Sequence, residues 1–170
     1  MSAARRGKTL YLFRHAKSSW DDPTLEDFDR PLNKRGEKAA PLMGNVMRAR
    51  GVFPDLILSS PAKRTRQTAK LALKKAGMDE AEIVFDDRLF HASPNGLLKI
   101  VKNTDQLLGA IMIFGHNPGL SEFVHLLTGV EEVFPTAALA CIQLKSQNWN
   151  EAGSGTGKLD WIVRPKEIVR

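Results

Sequence analysis

The chain has 170 residues, 42% hydrophobic and 26% charged, the make-up of a soluble globular protein able to bury one sizeable core. Lysine and arginine number 25 against 19 acidic residues, and the net charge of +6 suits anionic partners, phosphorylated ones included. Two classes are argued against: the basic residues are spread out with no aromatic-interleaved cluster, against nucleic acid, and no apolar run reaches bilayer length, against a membrane span.

Arg5, Arg6 and Lys8 precede no apolar h-region and no small-residue cleavage site, so residues 1–7 are expected to form a flexible tail rather than a signal peptide. A single domain spanning 1–170 follows. Lys8 to Phe13 then reads as a short, near-continuously apolar strand, buried on both faces, that stops at Arg14-His15. Polar residues at the carboxyl end of such a strand stand where open α/β folds place ligands. His15 is a candidate nucleophile or proton carrier. Arg14 is a candidate anion clamp, because a guanidinium meets phosphate oxygens with two parallel donors.

Residues 17 to 32 carry two prolines and no sustained period, which predicts a long loop of functional kind. Asn33 is placed to cap a helix over about Lys34 to Arg50, ended by Gly51, with Ala39, Leu42, Met43, Val46 and Met47 on its core face. Asp55 to Ser59 reads as a second strand. Ser60-Pro61 then gives a cap and a first-position proline for a helix running to about Lys75. Arg64 falls near that helix start, where the macrodipole disfavours cations; an anion held there would resolve the conflict. Glu82 to Phe85 is a third strand, 86–93 a second loop, and Ser93-Pro94 starts a helix to about Asn103.

Ala110 to Phe114 is a fourth, wholly apolar strand, followed by Gly115-His116-Asn117-Pro118-Gly119. Asn117 and Pro118 predict a helix to about Leu127, within which His125 is a packed or surface histidine. The cysteine, Cys141, lies in the apolar run of a strand over 139–145 and reads as a buried small hydrophobe, consistent with a reducing, cytoplasmic location. Gly153 to Gly157 is a turn, and Leu159 to Arg164 returns as the partner strand of an edge hairpin.

Strand–helix alternation predicts an α/β three-layer sandwich with a mostly parallel central sheet, helices on both faces and a C-terminal edge hairpin. Three strand ends would then bring Arg14 and His15, Ser59 to Arg64, and Gly115-His116 to one edge. No carboxylate joins that set, which argues against a metal site; no Gly-x-Ser-x-Gly elbow or Walker loop is present. A phosphoryl pocket holding a histidine remains.

Four motifs now resemble the histidine phosphatase superfamily, and within it the small SixA-type phosphohistidine phosphatases. They are Leu12-Phe13-Arg14-His15-Ala16-Lys17-Ser18, Asp29-Arg30-Pro31-Leu32-Asn33-Lys34-Arg35-Gly36, Ser59-Ser60-Pro61-Ala62-Lys63-Arg64-Thr65-Arg66-Gln67-Thr68-Ala69 and Gly115-His116-Asn117-Pro118. Phe134-Pro135-Thr136-Ala137 fits the same pattern. The resemblance implies that His15 attacks phosphorus and becomes a phosphohistidine. It implies that Arg14, Arg64 and His116 line the phosphate pocket, that Arg30, Ser18 and Asn117 face substrate, and that no metal or other cofactor is needed. It implies a phosphorylated protein partner, such as a histidine-containing phosphotransfer domain, with no nucleic acid and no membrane. A small phosphorylated metabolite, handled by a phosphatase or mutase, and a non-catalytic phosphate-binding scaffold are the alternative readings. Ala16 replaces the superfamily's glycine, and where many members place an acidic proton donor this chain has Leu89-Phe90-His91-Ala92; Asp21, Asp22 and His91 are the candidate donors.

Overall fold

The computed structural model describes residues 7–168. Six strands form one sheet: β1 (Thr9–Arg14), β2 (Leu56–Ser59), β3 (Ile83–Phe85), β4 (Ala110–Gly115), β5 (Leu139–Leu144) and β6 (Gly157–Val163), in the order β3-β2-β4-β1-β5-β6. The first four are mutually parallel where they pair, whereas β5 runs antiparallel to both β1 and β6. The sheet is therefore mixed, and the C-terminal pair forms its edge.

Side-chain alternation along the strands divides the core into two. Leu10, Leu12, Ile111 and Ile113 face α3 (Pro94–Lys102) and α4 (Gly119–Thr128), meeting Leu97, Ile100, Leu120 and Phe123. Phe13, Met112 and Phe114 face α1 (Lys34–Ala49) and α2 (Lys63–Ala76), meeting Met43, Met47, Ala69 and Leu73. The three layers expected from strand–helix alternation are thus present. No helix among the described residues is long and apolar enough to cross a membrane.

Local signals act mostly as read. Asn33 Oδ1 accepts from Gly36 N at 2.9 Å and Ser93 Oγ accepts from Gly96 N at 3.0 Å, each starting its helix. Cys141 is buried in β5, where burial pushes its thiol up to about 12, and His125 is exposed. Of the expected tail, residues 1–6 lie outside the described residues; Lys8, read as the start of the first strand, is buried just ahead of β1, its ammonium donating to the carbonyls of Gln106 and Leu108 at 2.5 and 2.8 Å. Two readings need correction. Helix α2 starts at Lys63 with Ala62 as its uncapped N-cap, three residues after Ser60, whose hydroxyl accepts from Ala62 N at 3.3 Å and lies 2.8 Å from His116 Nε2. Pro118 occupies the N-cap of α4 rather than its first turn, while Asn117 Oδ1 still accepts from Ser121 N at 3.1 Å.

Candidate phosphoryl-transfer site

Parallel pairing in the order β2-β4-β1 sets three strand ends side by side. The ladder continues one residue past each end: His15 N donates to Gly115 O and Ser60 N donates to Phe114 O, both at 3.0 Å. This backbone register delivers His15, Ser60 and His116 to one edge before any side-chain contact is counted.

His15 is only 7% exposed. Its Nδ1 lies 2.7 Å from the Ala16 carbonyl oxygen. A carbonyl can only accept, so Nδ1 carries the hydrogen and Nε2 keeps its lone pair. Burial, then the charges of Arg64, Arg14 and Arg30, push His15 down from 6.5 to about 3, against the opposing Ala16 hydrogen bond. The backbone that presents it is itself held: Ala16 N donates to Thr68 Oγ1 at 2.9 Å, and Thr68 Oγ1 donates to Arg64 O at 2.7 Å.

His116 stands opposite, with ring centroids 5.2 Å apart. Its Nδ1 is 3.3 Å from Arg64 Nη2 and its Nε2 is 2.8 Å from Ser60 Oγ. A guanidinium can only donate, so Nδ1 accepts and the Nε2 hydrogen goes to Ser60. Burial, with His15 and Arg64 nearby, pushes His116 down to about 2. Both imidazoles are therefore neutral, in opposite tautomers: His15 presents a nucleophilic nitrogen and His116 is fixed as a wall.

Arg64, the second residue of α2, is buried and reaches Asp27: Nη1 donates to Asp27 O at 2.6 Å and Nη2 to Asp27 Oδ2 at 3.1 Å. The anion expected beside this cation at a helix start is met by a carboxylate. Arg14 closes β1, donates from Nη1 to Phe134 O at 3.0 Å, and leaves a buried Nε–H without a partner. Asn117 Nδ2 shares that Phe134 carbonyl, also at 3.0 Å. Arg30 spans the loop over residues 17–32. Its Nε donates to Ser19 O at 3.1 Å, Nη1 pairs with Asp27 Oδ1 at 2.8 Å, Nη2 donates to Ser18 Oγ, and its plane stacks on Trp20 at 3.3 Å.

The structure thus brings Arg14, His15, Arg64 and His116 together, places Asn117 beside Arg14 through Phe134, and draws Arg30 with Ser18 alongside. Of the three candidate proton donors, His91 belongs to the cluster: its Nε2 is 2.9 Å from Asp27 Oδ2 and its ring 5.4 Å from that of His116. Asp22 is engaged with Thr24 instead, and Asp21 lines a separate surface groove at the start of α1. Sequence reading offers Asp27 no more than a salt bridge to Arg30, shared as a choice with Asp29; the structure makes that bridge and joins Arg64 and His91 to the same carboxylate. Its signal was present as an acid three residues before Arg30. Partial burial pushes its carboxyl up, but Arg64's charge and the hydrogen bonds from Arg64, His91 and Arg30 hold it below the usual carboxylate range. Three guanidinium groups and one carboxylate leave two net positive charges, matching a phosphoryl dianion. Among the described residues no group of three or more His, Cys, Asp or Glu is disposed to hold a metal ion.

Such a pocket is shaped and charged for a phosphoryl group beside an unprotonated imidazole nitrogen, and comparison with known proteins gives the family. Residues 10–91 match the model of histidine phosphatase superfamily branch 1, and the chain belongs to that superfamily. An uncharacterized chloroplastic protein of Arabidopsis thaliana is 37% identical over 174 residues, covering 95% of this chain and 80% of the relative. A 2,3-bisphosphoglycerate-dependent phosphoglycerate mutase of Streptomyces avermitilis is 39% identical over 69 residues, 39% of this chain and 27% of the mutase. Among solved structures, one assigned as the phosphohistidine phosphatase SixA of Agrobacterium tumefaciens superposes with a TM-score of 0.79 at 29% identity, over 94% of this chain and 99% of that one. A protein histidine phosphatase SixA complexed with tungstate shares the fold, with a TM-score of 0.77 at 21% identity over 95% and 99% of the two chains. The chain is accordingly a phosphatase-type enzyme of this superfamily.

Proposed function

We propose that the chain hydrolyses phosphohistidine on a protein, through a covalent phosphohistidine formed on His15. The observation that carries this reading is the His15 tautomer: the Ala16 carbonyl takes the Nδ1 hydrogen, leaving Nε2 bare and unprotonated inside a cationic pocket. Nε2 attacks phosphorus as the bond to the leaving group breaks. Arg14 and Arg64 hold the equatorial oxygens and His116 walls them, so that fixed positive charge and positioning supply the catalysis without a metal. Water then attacks the phosphoryl group, its surplus proton passes out through His91, and the electron pair of the P–N bond returns to Nε2. Arg30, with Ser18, and Asn117 position the substrate and Arg14.

A protein substrate fits a site at the sheet edge whose outer members, Asp27 and His91, are about half exposed. A histidine-containing phosphotransfer domain is the partner class that presents such a group. The local likeness to a phosphoglycerate mutase supports the second reading, a small phosphorylated metabolite.

The test is incubation with a phosphorylated phosphotransfer domain and with a panel of metabolite phosphates, beside His15→Ala. The expected result is release of phosphate from the domain, an acid-labile label on the wild-type chain, and neither with the variant. Faster turnover of metabolites would select the second reading. Turnover by His15→Ala would remove the nucleophile assignment, and phosphate binding without turnover of any donor would leave a scaffold.

A further inference from the structure

Beside His116 the pocket opens into a cavity of about 220 Å³ lined by His91, Ser93, Asn117 and Glu122 among others. It adjoins the phosphoryl position, so it is where a leaving group would lie. Two carboxylates bear on it. Glu122 stands on the wall, in the first turn of α4. Asp27 reaches it through His91, at 2.9 Å, while its other contacts go to Arg30 and Arg64. The phosphoryl position is cationic, Asp27 being outweighed there by Arg14, Arg30 and Arg64, and the carboxylate left to the exit is Glu122.

Resting on the function proposed above, we infer that Glu122 sets leaving-group specificity, favouring an imidazole that offers an N–H and rejecting any leaving group that carries a second anion. The positive pocket and the negative exit divide the substrate into a dianionic head and a neutral or cationic tail. Phosphohistidine has that division: with its distal ring nitrogen protonated, the N–H faces the Glu122 carboxylate. As the His15 Nε2–P bond forms and the substrate P–N bond breaks, the electron pair returns to the leaving nitrogen. The product is neutral imidazole, its hydrogen already in place on the other nitrogen, so departure requires no proton from the enzyme. A phosphate ester needs one, and an ester bearing a carboxylate or second phosphate brings like charge against Glu122.

The test uses the full chain and a matched pair, phenyl phosphate and 4-carboxyphenyl phosphate, whose phenolates differ chiefly in charge, together with a phosphohistidine peptide. Wild-type kcat/KM should favour phenyl over 4-carboxyphenyl by about tenfold or more at low salt. Glu122→Gln should shrink that ratio severalfold, and high salt should shrink it too. Glu122→Asp, which keeps the charge, should preserve it, which separates charge from mere packing. Glu122→Gln should also slow the phosphohistidine peptide relative to phenyl phosphate. A wild-type ratio near one, or variants that lose both aryl substrates in proportion, overturns the inference while leaving phosphohistidine hydrolysis standing. A preserved aryl ratio with no turnover of any phosphohistidine donor overturns the function reading and, with it, the imidazole assignment.

Discussion

Replacing His15 by glutamine should make the protein less sensitive to acid, although it destroys the proposed nucleophile. Folding holds His15 neutral, at about 3 instead of 6.5. An unfolded chain binds a proton at this position below pH 6.5 and the folded chain does not. A depressed folded value means that the stability is complete above 6.5 and is lost as pH falls towards 3. Each pH unit below 6.5 costs about 1.4 kcal/mol, so between pH 7 and pH 5 His15 alone removes roughly 2 kcal/mol of folding free energy. The figure holds for any folded value below about 4. His116, also depressed, contributes in the same direction in both proteins and cancels from the comparison. Urea unfolding followed by circular dichroism at pH 7, 6 and 5, in buffers free of phosphate, gives the two curves. The wild type should lose roughly 2 kcal/mol more than His15→Gln over that span. Parallel curves would show that the imidazole titrates in the folded state and would undo the argument for a neutral, bare Nε2.

Other substitutions test the rest of the site and its frame. Arg64→Ala should lower kcat by about a hundredfold or more, and Arg64→Lys should recover little, since the fork that meets Asp27 and His116 needs a guanidinium; single-turnover kinetics would show it. His91→Ala should slow phenyl phosphate more than a phosphohistidine peptide, because only the ester needs a proton as it leaves; equal slowing would assign His91 a supporting role. Gly44→Ala puts a Cβ 2.2 Å from the Ala72 carbonyl oxygen, between α1 and α2, and should cost about 1–3 kcal/mol in urea unfolding with kcat intact in the folded fraction. Gly119→Ala meets the Ala92 carbonyl oxygen at 2.1 Å and should reduce activity as well as stability, because Ala92 follows His91.

The frame was legible because its signals are local. Asn33 and Ser93 cap the helices they were expected to cap, and the apolar runs over 110–114 and 139–144 became strands. Ser60-Pro61 misled because the serine hydroxyl serves the Ala62 N–H ahead of the helix and an imidazole as well, and that imidazole, His116, lies more than fifty residues away. The acceptor for His15 was hidden for another reason. It is the carbonyl of the next residue, and a backbone atom leaves no trace in a side-chain pattern. Asp27 was legible only as a neighbour that could pair with Arg30, because a loop acid three residues away is a local signal; that Arg64 and His91 converge on it too is shown only by the fold.

The loop that carries Asp27 is drawn shut at its base. Ser19 N donates to Pro31 O at 2.8 Å, Asn33 N donates to Lys17 O at 3.0 Å, and Ser18 bridges to Leu32. A noose tied this way separates what its knot must do from what its far end can become. Length added around Asp22 and Pro23, which are exposed, would hang outside the knot and leave the register of β1 and α1 untouched. Related chains could therefore diverge in what they grasp by lengthening that bight while keeping one unchanged way of breaking the bond to phosphorus.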